Sequence, residues 1–175
     1  MFHCCGWTFP WTIAALAGTN ICLRRIAAQN IYDAISKHKV THFCGAPIVL
    51  NFLANADPSE KKELPHRVEV MTAGAAPPAA VLKATAAAGF HITHTYGLTE
   101  TYGPAVFNAP QNYWKDLNTD EYAETLIRQG VRYAVLEDLD VMDPDTMTPV
   151  PRDGETIGEI MFKGNVVMRG YLKNK

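Results

Sequence analysis

The sequence predicts an α/β fold with a β-rich tail, and three observations point to it. Short β-branched or aromatic runs alternate with Ala-rich stretches up to about residue 95. Small-residue turns holding glycine or proline follow several of those runs. Beyond residue 130 the helical texture gives way to two strand-like segments around a turn-forming sequence.

Taken in order, residues 21–25 read as the first strand, and Asn30 is placed to cap a helix on which Ile31, Ala34 and Ile35 share a face. Residues 40–44 read as the next strand. Gly45, Ala46 and Pro47 then turn the chain into a helix running through Leu53. A charged, proline-bounded loop at 57–65 leads to a strand at 68–72 and the turn Ala73-Gly74-Ala75-Ala76. Pro77 and Pro78 suit a first helical turn, where a missing N–H costs little, and Gly89 suits that helix's C-terminal end. Residues 91–95 form a short strand that runs straight into Tyr96-Gly97-Leu98-Thr99-Glu100. In the tail, 120–129 reads as a helix. Residues 133–141 and 156–162 read as strands flanking Asp143-Pro144-Asp145-Thr146, a turn former. The expected division is a partial α/β subdomain over residues 1–132 and the start of a β-rich subdomain over 133–175.

Composition narrows the class. The chain has 175 residues, 47% of them hydrophobic, with a net charge of -2, which argues against disorder, collagen-like repeats and a nucleic-acid-binding tail. The longest apolar stretch, residues 9–18, is ten residues long and holds Pro10 and Thr12, whereas a membrane-spanning helix needs about 20 residues. No Lys or Arg precedes it, so the basic start of a secretory signal is missing. Cys4, Cys5, Cys22 and Cys44 form neither a C-x-x-C pair nor an even framework, and are expected to be reduced thiols inside a cell. Met1 is followed at once by Phe-His-Cys-Cys-Gly-Trp, and the chain stops at residue 175 without a closing element, so a piece of a longer protein is expected.

Several chemistries lose their support. Ser36 and Ser59 are the only serines and neither sits in G-x-S-x-G; G-x-G-x-x-G and the P-loop pattern are absent. His91 and His94, three apart on a strand, point in opposite directions and do not readily share an ion; one core or edge histidine and one cleft-facing histidine are expected. His3 with Cys4 and Cys5 reads as packing, because zinc sites use spaced ligand pairs.

What remains are two glycine-containing turns, at 74–78 and 95–100, each after a strand. Ligands in open α/β sheets gather outside the strands' carboxyl ends. In the second, Tyr96 offers a flat ring for stacking, Gly97 a close backbone approach, Thr99 a hydroxyl, and Glu100 a hard carboxylate suited to Mg²⁺. The same stretch also reads as an ordinary tight turn with a helix cap, since Thr and Glu are favoured near helix starts.

Tyr96-Gly97-Leu98-Thr99-Glu100 resembles the signature of the adenylate-forming (AMP-binding) superfamily. Ala73-Gly74-Ala75-Ala76-Pro77 resembles that family's adenine-contacting turn, and Phe2-His3-Cys4-Cys5-Gly6 its Phe-His-x-x-Gly segment beside the acyl pocket. Gly158-Glu159-Ile160, Gly164 and residues 167–174 resemble the block before the ribose-binding aspartate. These four blocks stand in the family order across almost the whole chain. Met1 to Trp7 and Arg128-Gln129-Gly130-Val131-Arg132-Tyr133 are most similar to plant-type acyl-activating enzymes of the acyl-CoA synthetase group.

The resemblance implies part of the large N-terminal domain of an adenylate-forming enzyme and a two-step ligase. A carboxylic acid, Mg·ATP and coenzyme A give acyl-CoA, AMP and pyrophosphate through an acyl-adenylate. It implies that Tyr96 stacks on adenine, that the backbone of Gly74, Ala75, Ala76 and Pro77 lines the base, that Thr99 holds the α-phosphate and that Glu100 binds Mg²⁺. His94, Thr95 and Gly97 would border the nucleotide and the acyl carboxylate, and His3 would wall the acyl and pantetheine channel. The family often carries an amide or acidic side chain where His94 stands. Its Ser/Thr/Gly-rich phosphate loop would precede residue 1; the ribose aspartate and the C-terminal domain with the adenylation lysine would follow residue 175. The chain alone is therefore expected to form no acyl-adenylate. The alternatives are a non-catalytic truncated nucleotide-binding protein and an adenylation domain loading a carrier protein. Cytoplasm and peroxisome both remain open, and the acyl substrate and oligomeric state are not legible.

Overall fold

The computed structural model describes residues 3–173, so Met1 and Phe2 of the first block and Asn174 of the last lie outside the described residues. The chain opens with two short helices, α1 (His3–Trp7) and α2 (Phe9–Ala15), where the sequence showed only an apolar stretch. Residues 21–25 form no strand. They join neither sheet and are mostly exposed, and strand propensity counts for little without a neighbour to pack on. α3 (Ala28–His38) buries Ile31, Ala34 and Ile35 together with Ala28 and Tyr32, which is the predicted face. Its N-cap is Ala27. Asn30 sits inside the first turn and its amide donates to the Arg25 carbonyl at 3.0 Å.

β1 (His42–Gly45), α4 (Pro47–Ala54), β2 (Val68–Thr72), α5 (Ala79–Ala87) and β3 (Phe90–Leu98) follow. β1 and β2 are parallel, and β2 runs parallel to residues 90–94 of β3, so two strand–helix–strand units stand as expected. Pro77 and Pro78 lie just before α5 rather than within it, with Pro78 as the extended N-cap residue. Gly89 takes φ 92 straight after the C-cap residue Ala88, the left-handed role expected of it.

β3 is longer than its pattern suggested because its second half has another partner. β4 (Gly103–Phe107) returns antiparallel beside residues 95–98, and after α6 (Thr119–Leu126) the short β5 (Val131–Arg132) pairs with β4. The sheet order is β1-β2-β3-β4-β5. α4 packs on α5 and α5 on α6, and Leu50, Leu53 and Leu82 meet Val68, Val70 and Phe90 in one core. Each fully buried leucine there is worth roughly 1.5–3 kcal/mol. β6 (Asp138–Met142) and β7 (Glu159–Lys163) form a separate antiparallel pair, so the strands expected at 133–141 and 156–162 begin later than their patterns implied. Residues 133–137 are turn-like, and the Arg132 guanidinium donates to the Leu136 carbonyl at 2.5 Å.

α6 has a strong local start. The Asn118 carboxamide oxygen accepts from the backbone N–H of Asp120 and Glu121 at 3.0 Å each, while the Glu121 carboxylate accepts from the Asn118 N–H at 3.1 Å. The helix ends at Leu126, short of the expected Gln129, and Gly130 at φ 95 redirects the chain into β5. Asn118→Ala is expected to lower stability by about 1 kcal/mol, read as a lower urea midpoint with an unchanged slope.

Candidate functional site

The site is built where β2 and β3 pass their carboxyl-terminal halves. β2 ends at Thr72, and the following turn leaves Gly74, Ala75 and Ala76 exposed while Pro77 is buried against the body. Gly74 takes φ 92 and a Cβ built there would meet nothing within 4 Å, so this stretch presents open backbone. The buried Thr95 hydroxyl donates to the Thr72 carbonyl at 3.3 Å and ties the two turns together.

The second turn is held from within. Tyr96, Gly97 and Leu98 are still strand, and Thr99, Glu100 and Thr101 make a single 3₁₀ turn. Thr101 is buried at 3% exposure; its hydroxyl accepts from the Leu98 N–H at 3.0 Å and has two carbonyl acceptors for its one proton, Gly103 at 2.9 Å and Leu98 at 3.1 Å. Freed from capping, Thr99 points its exposed side chain outward and Glu100 is half-buried. Gly97 has a different neighbour from the ligand that its sequence context suggested. A Cβ there would lie 2.0 Å from the Gly103 carbonyl oxygen and 2.8 Å from the Ala105 nitrogen, so the space is taken by the β4 backbone.

Two contacts reach this turn from far along the chain. The Tyr171 hydroxyl donates to the Glu100 carboxylate, and the Met168 N–H donates to the Glu100 carbonyl at 2.7 Å. The Tyr171 hydrogen bond keeps the Glu100 carboxyl below the usual glutamate range, hence ionised at neutral pH. The Tyr96 ring lies 5.9 Å from Phe162 of β7, inclined at 38°. Thr101, Phe162, Met168 and Tyr171 are the residues that sequence reasoning did not assign a role. The resemblance of residues 167–174 was the only signal for two of them.

The N-terminal helices dock on the same turn. Trp7 and Tyr102 rings are 5.4 Å apart, and the Thr8 hydroxyl donates to the Tyr102 carbonyl at 3.3 Å. His3 stands exposed on α1, the helix brought against this turn. His94 is brought near the site by β3, but its side chain is 2% exposed and its carbonyl accepts from the Asn108 N–H at 2.8 Å. Burial pushes the His94 pKa down, with the backbone of Arg128 and Ile127 partly opposing, so the ring is neutral at pH 7. His91 is half-buried.

The family model for AMP-binding enzymes matches residues 1–172, and the chain belongs to that family. Among curated relatives it is 57% identical to an acetate–CoA ligase of Humulus lupulus and 56% identical to a peroxisomal acetate/butyrate–CoA ligase of Arabidopsis thaliana, each over 99% of this chain and 31% of the relative. It is 45% identical to a peroxisomal trans-cinnamate:CoA ligase of Petunia hybrida over 99% of this chain and 30% of the relative. The chain thus spans about a third of the length of these relatives. The fold matches the N-terminal domain of FACL13 from Mycobacterium tuberculosis with a TM-score of 0.77 at 22% identity, over 99% of this chain and 41% of that one. It also matches o-succinylbenzoate CoA synthetase from Bacillus subtilis with its acyl-adenylate intermediate, TM-score 0.77 at 21% identity, over 99% and 32%. Both likenesses bear on the fold: a mixed α/β N-terminal domain of adenylate-forming enzymes.

Proposed function

We propose that this chain is part of an AMP-forming carboxylate–CoA ligase, which joins a small carboxylic acid to coenzyme A at the expense of ATP. One arrangement carries the reading. The exposed backbone turn after β2 and the Tyr96 to Glu100 stretch, where β3 ends and its 3₁₀ turn begins, lie at adjacent strand ends, tied by the Thr95–Thr72 hydrogen bond. The relatives' names add acetate, butyrate and trans-cinnamate as the kind of acid.

In this reading Tyr96 stacks on adenine, the backbone of residues 74–77 borders the base, the Thr99 hydroxyl donates to the α-phosphate, and the backbone near Thr95 and Gly97 borders the nucleotide. His94 would act only through its main chain, and His3 would wall the acyl and pantetheine channel. Mg²⁺ commonly uses one or two protein carboxylates plus phosphate and water oxygens, and the ionised Glu100 fits that demand. Among the described residues no group of three or more metal-ligating side chains occurs. Mg²⁺ would neutralise phosphate charge as the substrate carboxylate approaches.

Residues 1–132 and 133–175 are proposed as two subdomains, a division supported by the end of the five-stranded sheet at β5 and the separate β6–β7 pair beyond it. No helix among the described residues is long and apolar enough to cross a membrane. Relatives named as peroxisomal support that compartment over the cytosol for the longer protein, and fractionation tests it.

The deciding experiment supplies the full-length protein with ATP, Mg²⁺ and acetate, butyrate or cinnamate. Hydroxamate formation and CoA-dependent AMP release are expected. Adenylate without CoA-dependent release favours carrier-protein loading, and no adenylate overturns the ligase. The 175-residue chain alone is expected to yield no hydroxamate. Tyr171→Phe removes one hydrogen bond to the Glu100 carboxylate, so the Mg²⁺ concentration for half-maximal rate should rise roughly 2- to 10-fold with kcat at saturating Mg²⁺ little changed.

A further inference from the structure

On the N-terminal side of the candidate site, α1 and β1 bring Cys5 close to Cys44. Cys5 is exposed on α1, and its Sγ lies 4.0 Å from the carbonyl oxygen of Cys44, a half-buried residue of β1. Each thiol is also the leading influence on the other's ionisation. Adjacent residues of a helix face different ways, and Cys4 accordingly turns toward β4, close enough that a Cβ on Gly103 would lie 2.8 Å from its sulfur. Cys5 therefore has Cys44, rather than Cys4, as its reaction partner.

We propose that Cys5 and Cys44 form a peroxide-reactive dithiol site that closes to a disulfide joining α1 to β1. The Cys5 thiolate attacks the O–O bond of hydrogen peroxide, giving a sulfenic acid and hydroxide. The Cys44 sulfur then attacks the sulfenic sulfur, forming the S–S bond, and the hydroxyl leaves as water. Two thiols lose two electrons and two protons, one peroxide becomes two waters, and a thiol reductant reverses the step.

Exposure divides the roles: Cys5 is open to solvent and meets peroxide first, while half-buried Cys44 stands behind it as the resolving thiol. The electrostatics support this order, with the Cys5 pKa lowered to about 7 by its interaction with Cys44 and the Cys44 thiol pushed up by that interaction and by burial. Burial raises Cys4 as well. With a thiolate half-formed at neutral pH, Cys5 should react roughly 3- to 15-fold faster than an ordinary cysteine.

The test uses the reduced full-length protein and hydrogen peroxide at pH 7, and reads thiol chemistry, so its failure is distinct from failure of the ligase reading. The expected product has lost two hydrogens, and its proteolytic map contains a Cys5–Cys44 linked peptide that dithiothreitol releases. In Cys44→Ser the Cys5 sulfenic acid should persist and be trapped by dimedone. In Cys5→Ser and Cys5→Ala, checked for native circular dichroism, both products should vanish, while Cys22→Ser behaves as the parent. A disulfide joining other cysteines, or unchanged oxidation in both Cys5 variants, overturns the proposal.

Discussion

Glu100→Gln in the full-length protein, on the proposed ligase reading, is expected to slow pyrophosphate release by about 100-fold, the loss that follows removal of one charge-stabilising group from such a site. The amide keeps the size of the side chain and can still meet the Tyr171 hydroxyl, so the turn should survive while the carboxylate proposed to hold Mg²⁺ is gone. The Mg²⁺ requirement should rise with the rate loss, and the unfolding midpoint should stay within error of the parent. The pH profile adds an independent check. The Glu100 carboxyl is held below its ordinary range, so its contribution is present above that range and is lost only as pH falls through the lowered value. Tyr171→Phe removes the cause of the lowering and should move the acid limb upward. Pyrophosphate release at the parental rate and Mg²⁺ dependence would sink the metal role of Glu100.

The parts that local pattern could specify were legible. The face of α3 and the two strand–helix–strand units around β1, β2 and β3 follow from periodicity and from Gly89 at its positive-φ position. β4 was missed because Gly103 and Pro104 argue against a strand. The structure accommodates them at an irregularity: the register shifts between Tyr96 and Gly97, and Pro104 stands opposite Gly97, where a missing N–H disturbs the ladder least. Residues 21–25 erred the other way, with strand-like side chains and no strand beside them. In the site, the turn's residue types were readable but its supports were not. Tyr171 and Glu100 are 71 residues apart, and the Thr101 hydroxyl works through three contacts fixed only once the turn is closed.

Gly97→Ala is expected to be among the most damaging small substitutions in the chain. The added methyl would lie 2.0 Å from the Gly103 oxygen, 2.7 Å from its carbonyl carbon and 2.8 Å from the Ala105 nitrogen, all backbone atoms that no rotamer change can move aside. β4 must then separate from β3, which also disturbs the paired β5 and the Thr101 lock on the turn. The cost should reach about 3 kcal/mol or more, a large share of the ~5–15 kcal/mol that usually holds a domain folded. Gly74→Ala is the matched control. Its methyl enters open space and the strain is that of a positive φ alone, about 1–2 kcal/mol. Urea unfolding of both variants, with ATP binding measured on whatever remains folded, separates the two roles a glycine can have here. If Gly97→Ala keeps the parental midpoint yet loses nucleotide, the glycine serves ligand approach. If the midpoint collapses while that of Gly74→Ala shifts modestly, its first duty is to let two strands close, and the nucleotide turn depends on that closure.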